Sequence, residues 1–160
     1  MTPFIHYTLL FECHADYFEC HEVLEEAWQA DGRRHHGYAA LIQYAVIHYH
    51  LRRDNLVGAK KSLRLLRRKI DIASPYLNEL GLDVDSFIAQ LEEWPLRATL
   101  PLQSDVRETV ESLKSTFPST DLAFEELVHK HLHRDRSEVI MERKSALLER
   151  QRARSSANHS

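Results

Sequence analysis

Apolar side chains recur every three or four positions along most of this chain, which is the spacing of helices with one buried face. A first helix is predicted over residues 14–30 and a second over residues 36–53. Apolar residues nearly surround the second helix, so it should lie at the centre of the fold. The inward stripe of the first helix mixes polar and apolar residues at i, i+4, i+7, i+8 and i+11: Tyr17, His21, Leu24, Glu25 and Trp28.

A third helix is predicted to begin after Asn55, a residue type that caps helix N-termini well. Its apolar positions alternate spacings of three and four, which is typical of a seam between neighbouring helices. Pro75 lacks a backbone N–H and should break or kink the helix near Ser74, while Gly81 suits a left-handed C-terminal cap. The expected core combines residues from the first three helices: Trp28, Leu41, Ala45, Leu63, Leu66 and Ile70.

Shorter elements are predicted in the second half of the chain. A fourth helix should start near Asp83 or Asp85, and residues 97–104 have the composition of a linker across the surface. One further helix should end before Pro118 and another should follow it. The expected fold is therefore all-α, a compact bundle of three to four helices with two additional C-terminal helices.

The predicted domain organisation follows from these elements. Residues 1–96 are expected to form the helical bundle, and residues 97–152 an extension packed on that bundle or on a second subunit. Residues 153–160 are polar and should form a flexible tail.

The sequence also predicts where the protein resides. Its N-terminus lacks the basic segment of a secretory signal and soon reaches Glu12, and no apolar run is long enough to cross a bilayer. Cys13 and Cys20 are seven positions apart, which indicates neither a disulfide framework nor a cysteine-rich zinc site. We expect two small buried thiols in a cytoplasmic protein that does not enter membranes.

Charge is distributed in blocks along the chain, although the formal net charge is only −3. Residues 1–32 contain seven acidic residues and no lysine or arginine, whereas residues 33–69 contain ten basic residues and a single acid, Asp54. Opposite blocks of this kind favour charge complementarity within the fold or between subunits. The partner expected on this basis is an unknown protein or a second copy of the chain.

The predicted third helix has a basic face opposite its apolar seam, formed by Lys60, Lys61, Arg64, Arg67 and Arg68. Such a face would suit a phosphate backbone or an acidic partner, but a solvated helix surface is the more ordinary interpretation. Nucleic acid is an unlikely partner because the chain is net acidic and no aromatic residues interleave the basic run for base stacking.

The stretch CHEVLEEAW, residues 20–28, concentrates candidate chemistry. His21 and Glu25 lie one helical turn apart, as the two histidines of zinc-binding HExxH motifs do, but here the second position holds a carboxylate. His50 or His48 could supply a third ligand to a divalent metal. The alternative interpretation is a buried polar cluster in which His21 or Glu25 hydrogen-bonds Gln43 or His50, and no cofactor is then expected.

Three segments carry a resemblance to a known family: DYFECHEVLEEAW (16–28), LIQYAVIHYHLRRDNLVGAKKSL (41–63) and LGLDVDSF (80–87). Over roughly residues 12–94 the chain resembles the bacterial domain-of-unknown-function 309 family. The resemblance implies a compact helical bundle and brings no established activity or cofactor. This chain has Ala40 and Asp54 where the family usually has glycine. The family's polar signature falls on six positions: His21, Glu22, Glu25, Gln43, His50 and Asn55.

Two functions remain open at this point. The first is a non-catalytic interaction or structural module that contains a buried polar His/Glu cluster. The second is a metal-dependent or acid-base enzyme centred on His21, Glu25 and His50. A well-formed pocket that reaches those three side chains would favour the enzyme.

Overall fold

A computed structural model describes residues 1–120, 124–129, 150 and 152 of the chain. These residues form helices and one isolated antiparallel bridge between Leu82 and Leu102, and none of them lies in a β-strand. The all-α prediction is confirmed for the described part of the chain. Within it, no helix has both the length and the apolar composition needed to cross a membrane.

The N-terminal region contains a helix that the sequence pattern did not predict. Helix α1 (Pro3–Leu9) begins with Thr2 as its cap and continues into a π-helix (Leu10–His14). Ala15 then adopts φ of 49°, and Asp16 caps α2 (Tyr17–Ala30) by accepting a hydrogen bond from the backbone N–H of Glu19. The helix predicted at residues 14–30 therefore begins three residues later, at Tyr17, and His14 belongs to the preceding π-helix.

Helix α3 (His36–Arg52) is the centre of the fold, as predicted. It packs against α2 on one side and against α4 (Leu56–Leu80) on the other. Five of the six predicted core residues are buried: Leu41, Ala45, Leu63, Leu66 and Ile70. The sixth, Trp28, is only half-buried, so its assignment to the core was wrong.

Helix α4 runs without interruption through Pro75, so of the two outcomes predicted near Ser74, a break or a kink, the break does not occur. Ser74 donates its hydroxyl to the Ile70 carbonyl, and the buried Ala73 and Leu77 on either side of Pro75 anchor the final turns in the core. Packing of this apolar stripe outweighs the hydrogen bond that proline cannot donate. Gly81 ends the helix with φ of 106°, as predicted for a left-handed cap.

The segment after α5 (Val84–Leu91) is more deeply packed than a surface linker. Leu96 and Leu100 are buried in the core. Tyr44 donates its hydroxyl to the carbonyls of Arg97 and Thr99, and the buried Gln90 side chain donates to the same two carbonyls. The predicted linker at residues 97–104 is thus irregular chain with Arg97, Ala98 and Thr99 exposed, as expected, but these hydrogen bonds and the buried Leu100 hold it against the core.

Helix α6 (Ser104–Lys114) packs on the N-terminal region through ion pairs. Arg107 donates to both carboxylate oxygens of Glu12 at 2.6 and 2.9 Å, and Lys114 Nζ lies 3.0 Å from Glu12 Oε1. Burial by itself would raise the pKa of Glu12, but the hydrogen bonds from Arg107 and Lys114 outweigh burial and hold that pKa below its usual value. Glu12 of the acidic block is thus paired within the fold, although Arg107 and Lys114 lie outside the basic block at residues 33–69.

The chain divides into two compact units, residues 1–128 and residues 129–160. The first unit includes α6 and a short helix, α7 (Phe124–Val128). The domain boundaries expected at residues 96 and 152 stay predictions. Most of the predicted last helix and the predicted tail at 153–160 lie outside the described residues.

Candidate functional site

The signature residues of α2 form a local cluster on one side of that helix. His21 Nδ1 lies 3.2 Å from Glu22 Oε1, and His21 Nε2 lies 3.9 Å from Glu25 Oε2. Glu25 also accepts a hydrogen bond from Gln29. The side chains of His21 and Glu25 remain 27% and 30% exposed, so they are partly buried rather than enclosed.

The predicted hydrogen bond from this cluster to α3 is not found among the described residues, where His21 and Glu25 form hydrogen bonds or ion pairs with neither Gln43 nor His50. The His21 ring packs 5.9 Å from Phe18, and Phe18 in turn packs 5.8 Å from Tyr49 of α3. The Phe18 ring therefore lies between the His21 cluster and α3. The expected hydrogen bond between His21 or Glu25 and α3 is replaced there by aromatic packing.

His50 and Asn55 form a second polar site at the turn between α3 and α4. Asn55 Oδ1 accepts a hydrogen bond from the Gly58 N–H and caps α4, which orients its amide nitrogen toward His50 Nδ1 at 3.1 Å. Because the amide nitrogen donates, Nδ1 must be the unprotonated acceptor. Burial, followed by the positive charge of Arg53, lowers the pKa of His50 and favours this neutral form.

The six signature positions are thus divided between two places. His21, Glu22 and Glu25 cluster on α2, His50 pairs with Asn55, and Gln43 is half-buried on α3. Within the described part of the chain, no three histidine, cysteine, aspartate or glutamate side chains are arranged to hold a metal ion. The set His21, Glu25 and His50 proposed from the sequence is therefore not brought together there.

His48 is the most perturbed histidine of the site region, and sequence reasoning considered it only as a substitute ligand. Its buried ring is surrounded by aromatic rings at 4.6–5.6 Å, those of Phe11, Tyr17 and Tyr44. Its Nε2 has no hydrogen-bond partner among the residues that the structure describes, and burial, followed by the charge of Arg52, lowers the pKa of His48 to about 4. The ring packs as a neutral aromatic side chain.

The two thiols differ from each other. Cys20 is buried and donates its thiol to the Tyr7 carbonyl at 3.3 Å, and burial raises its pKa well above the usual value, which disfavours the nucleophilic thiolate. Cys13 is exposed, so the expectation that it is buried was wrong. Neither cysteine forms a disulfide.

The fold and these polar sites define a small helical domain in which one signature residue, Asn55, caps a helix and the His21 cluster lies partly exposed on α2. A family model described as a domain of unknown function (DUF309) matches residues 4–62. The chain is also 33% identical to "Uncharacterized protein YpuF" of Bacillus subtilis (strain 168) over 169 aligned positions, which cover 94% of this chain and 97% of that protein. No solved structure matches significantly.

The chain therefore belongs to the DUF309 family, as the sequence motifs indicated. The family model includes the helix α1 that periodicity missed, and it ends before the LGLDVDSF segment on which part of the resemblance was based. Asp54, which replaces a family glycine, has φ of 56°, a conformation that glycine adopts without strain.

Proposed function

We propose that this protein is a non-catalytic interaction module that associates with a second copy of itself through α4. The observation that carries the proposal is the surface of α4 directed away from the core, which combines basic and apolar side chains on a single stripe. We name this surface the outer face and define it by residues at i, i+4, i+7, i+8 and i+11: Val57, Lys61, Arg64, Leu65 and Arg68.

All five residues of the outer face are exposed, and Val57 is 82% exposed. Among the described residues, Lys61, Arg64 and Arg68 form no ion pair, whereas the neighbouring Arg67 lies 3.9 Å from Glu92. The described part of the fold thus pairs one basic residue of this helix with a carboxylate and leaves the three basic residues of the outer face without such a partner. Exposed apolar residues within a uniformly charged surface are typical of interaction sites.

A surface of complementary character lies on α2. A groove of about 430 Å³ runs between the N-terminus and α2, and we name it the acidic groove. Glu19 and Glu26 line it together with the N-terminal Met1 and His6, and its apolar walls include Val23, Ala27 and Ala30. Because basic and apolar residues on α4 match acidic and apolar residues on α2, the two surfaces suit a contact between copies.

Such a contact joins two different surfaces and is therefore head-to-tail. It closes into a ring or extends as a chain of subunits, according to the rotation between copies. Attraction between exposed charges weakens as salt is added, so the contact should be salt-sensitive. Nucleic acid is not the proposed partner, since no aromatic residue interrupts the basic stripe.

A reciprocal charge-reversal experiment tests the proposal. The full-length protein should show concentration-dependent association in sedimentation velocity at low salt and dissociate as salt is raised. The triple variant Lys61→Glu, Arg64→Glu, Arg68→Glu should be monomeric, and so should Glu26→Lys combined with Ala30→Lys. An equimolar mixture of the two variants should associate again, because each then supplies the charge that the other lacks.

Arg34→Glu provides the control, since it reverses an exposed charge outside both surfaces and should associate like the wild type. A wild-type protein that is monomeric at every concentration and ionic strength would contradict the proposal. So would association that persists unchanged in both reversed variants.

The free cysteines support a cytoplasmic location as part of this proposal. The enzymatic alternative centred on His21, Glu25 and His50 has less support, because His50 bonds Asn55 rather than joining the α2 cluster.

A further inference from the structure

A cavity of about 300 Å³ lies where the end of α2 and the start of α3 meet the second half of α4. Its base consists of three small side chains, Ala39 and Ala40 of α3 and Ala73 of α4. Alanines at this helix contact leave space that larger residues would fill. The cavity is separate from the His21 cluster, from the outer face and from the acidic groove.

The wall of the cavity contains the tryptophan of the HEVLEEAW motif. Trp28 lines the cavity together with Ile72, which explains why this motif residue is only half-buried. An indole that borders a cavity offers a flat apolar surface on which a ring can stack. The tryptophan therefore has a surface available for a ligand, which a fully packed core residue does not.

The polar residues of the cavity are basic in character. Arg33, His36 and Lys69 line it, and no aspartate or glutamate is among its lining residues. The Arg33 guanidinium lies over the Trp28 ring, with its central carbon 5.4 Å from the ring centre. In the described part of the chain, neither Arg33 nor Lys69 forms an ion pair with a carboxylate.

The backbone holds Arg33 in an unusual conformation to achieve this placement. Arg33 has φ of 60°, which is unfavourable for a residue with a side chain, and its N–H donates to the Trp28 carbonyl at 2.8 Å. The turn after α2 thereby places the Arg33 guanidinium next to the ring of Trp28.

We propose that this cavity binds a small carboxylate with an aromatic body. The aromatic ring stacks on Trp28 above the alanine base, and the carboxylate accepts charge-assisted hydrogen bonds from Arg33 and Lys69. The volume is at the lower end of the range for small-molecule sites, which limits the ligand to one or two rings.

Two probes of the same shape distinguish the contribution of charge to binding from that of apolar contact: naphthalene-2-carboxylate and its neutral analogue 2-naphthamide. Each is titrated into the uniformly ¹⁵N-labelled full-length protein. The chain has two tryptophans, Trp28 and Trp94, and Trp94→Phe assigns their indole N–H signals. The Trp28 signal should shift in a saturable manner, with the carboxylate binding at least tenfold more tightly than the amide.

Three variants test the residues involved. Arg33→Gln and Lys69→Gln should each weaken binding of the carboxylate severalfold and leave binding of the amide unchanged. Ala39→Leu should abolish binding of both probes, because it fills a half-buried position at the base. Lys61→Gln removes one positive charge from the outer face instead and should bind both probes like the wild type. This control shows that ligand binding in the cavity does not depend on the surface used for self-association.

Equal affinity for the two probes would overturn the proposal. So would retention of binding in Ala39→Leu, or a Trp28 signal that does not move at millimolar carboxylate. If Ala39→Leu fails to fold, the comparison of Arg33→Gln with Lys61→Gln decides the question.

Discussion

His50 Nδ1 accepts a hydrogen bond from Asn55 Nδ2 at 3.1 Å, so the last turn of α3 is joined directly to the residue that caps α4. The Asn55 side chain therefore acts in two ways, as an acceptor for the N–H of Gly58 and as a donor to the imidazole. This arrangement assigns a structural role to two residues of the family signature.

Replacing Asn55 with aspartate should raise the pKa of His50. The carboxylate still caps α4, but it cannot donate to Nδ1, and its negative charge favours the protonated imidazole. The pKa of His50 is measured by NMR titration, with His50→Gln assigning the signal. Asn55→Ser retains a cap without adding charge and should move that pKa less; equal pKa values in aspartate and serine variants would contradict the assigned bond.

Acid should destabilise the protein through His48. The pKa of His48 is about 4 in the folded protein, below its ordinary value of 6.5, so the unfolded chain binds the proton more readily. Stability contributed by neutral His48 is complete above pH 6.5 and is lost as pH falls toward 4, by about 3 kcal/mol.

The variant His48→Leu isolates this effect. Urea unfolding between pH 7.5 and pH 4 should show a smaller loss of stability for the variant than for the wild type, because leucine neither titrates nor leaves a buried nitrogen without a partner. Parallel pH profiles of the two proteins would show that His48 is not the group responsible.

Arg107→Met should lower the free energy of unfolding by about 1–3 kcal/mol, since it removes the bidentate partner of a largely buried carboxylate. The matched control is Arg97→Met, whose ion pair with Glu93 is exposed and should contribute less than about 0.5 kcal/mol. Chemical denaturation measures both. A similar loss in the two variants would mean that the Glu12 pair contributes no more than a surface contact.

Glycine at Ala15 should increase the free energy of unfolding by about 0.5–1 kcal/mol, because relief of a positive φ outweighs the added freedom of the unfolded chain. Asp54→Gly should give a smaller gain, since aspartate tolerates the left-handed region better than alanine. Ala27→Gly, in the interior of α2, should instead destabilise the protein. Thermal unfolding ranks the three, and a loss of stability in Ala15→Gly would contradict the strain argument.

Four features could be predicted from the amino-acid sequence: the helical class, the central position of α3, the caps at Asn55 and Gly81, and the family. These features depend on local periodicity and capping, which neighbouring residues in the chain specify directly. The environments of Pro75, Trp28, His21 and His50 instead depend on contacts between helices that are distant in sequence. Pro75 continues in a helix because Ala73 and Leu77 pack on either side of it, and Trp28 borders a cavity because the helices facing it present alanines. His21 and His50 belong to the same family signature, yet His21 contacts Glu25 and His50 contacts Asn55. The position of α2 relative to α3 depends on side-chain packing between the two helices, and the residue spacing along one helix does not encode that packing.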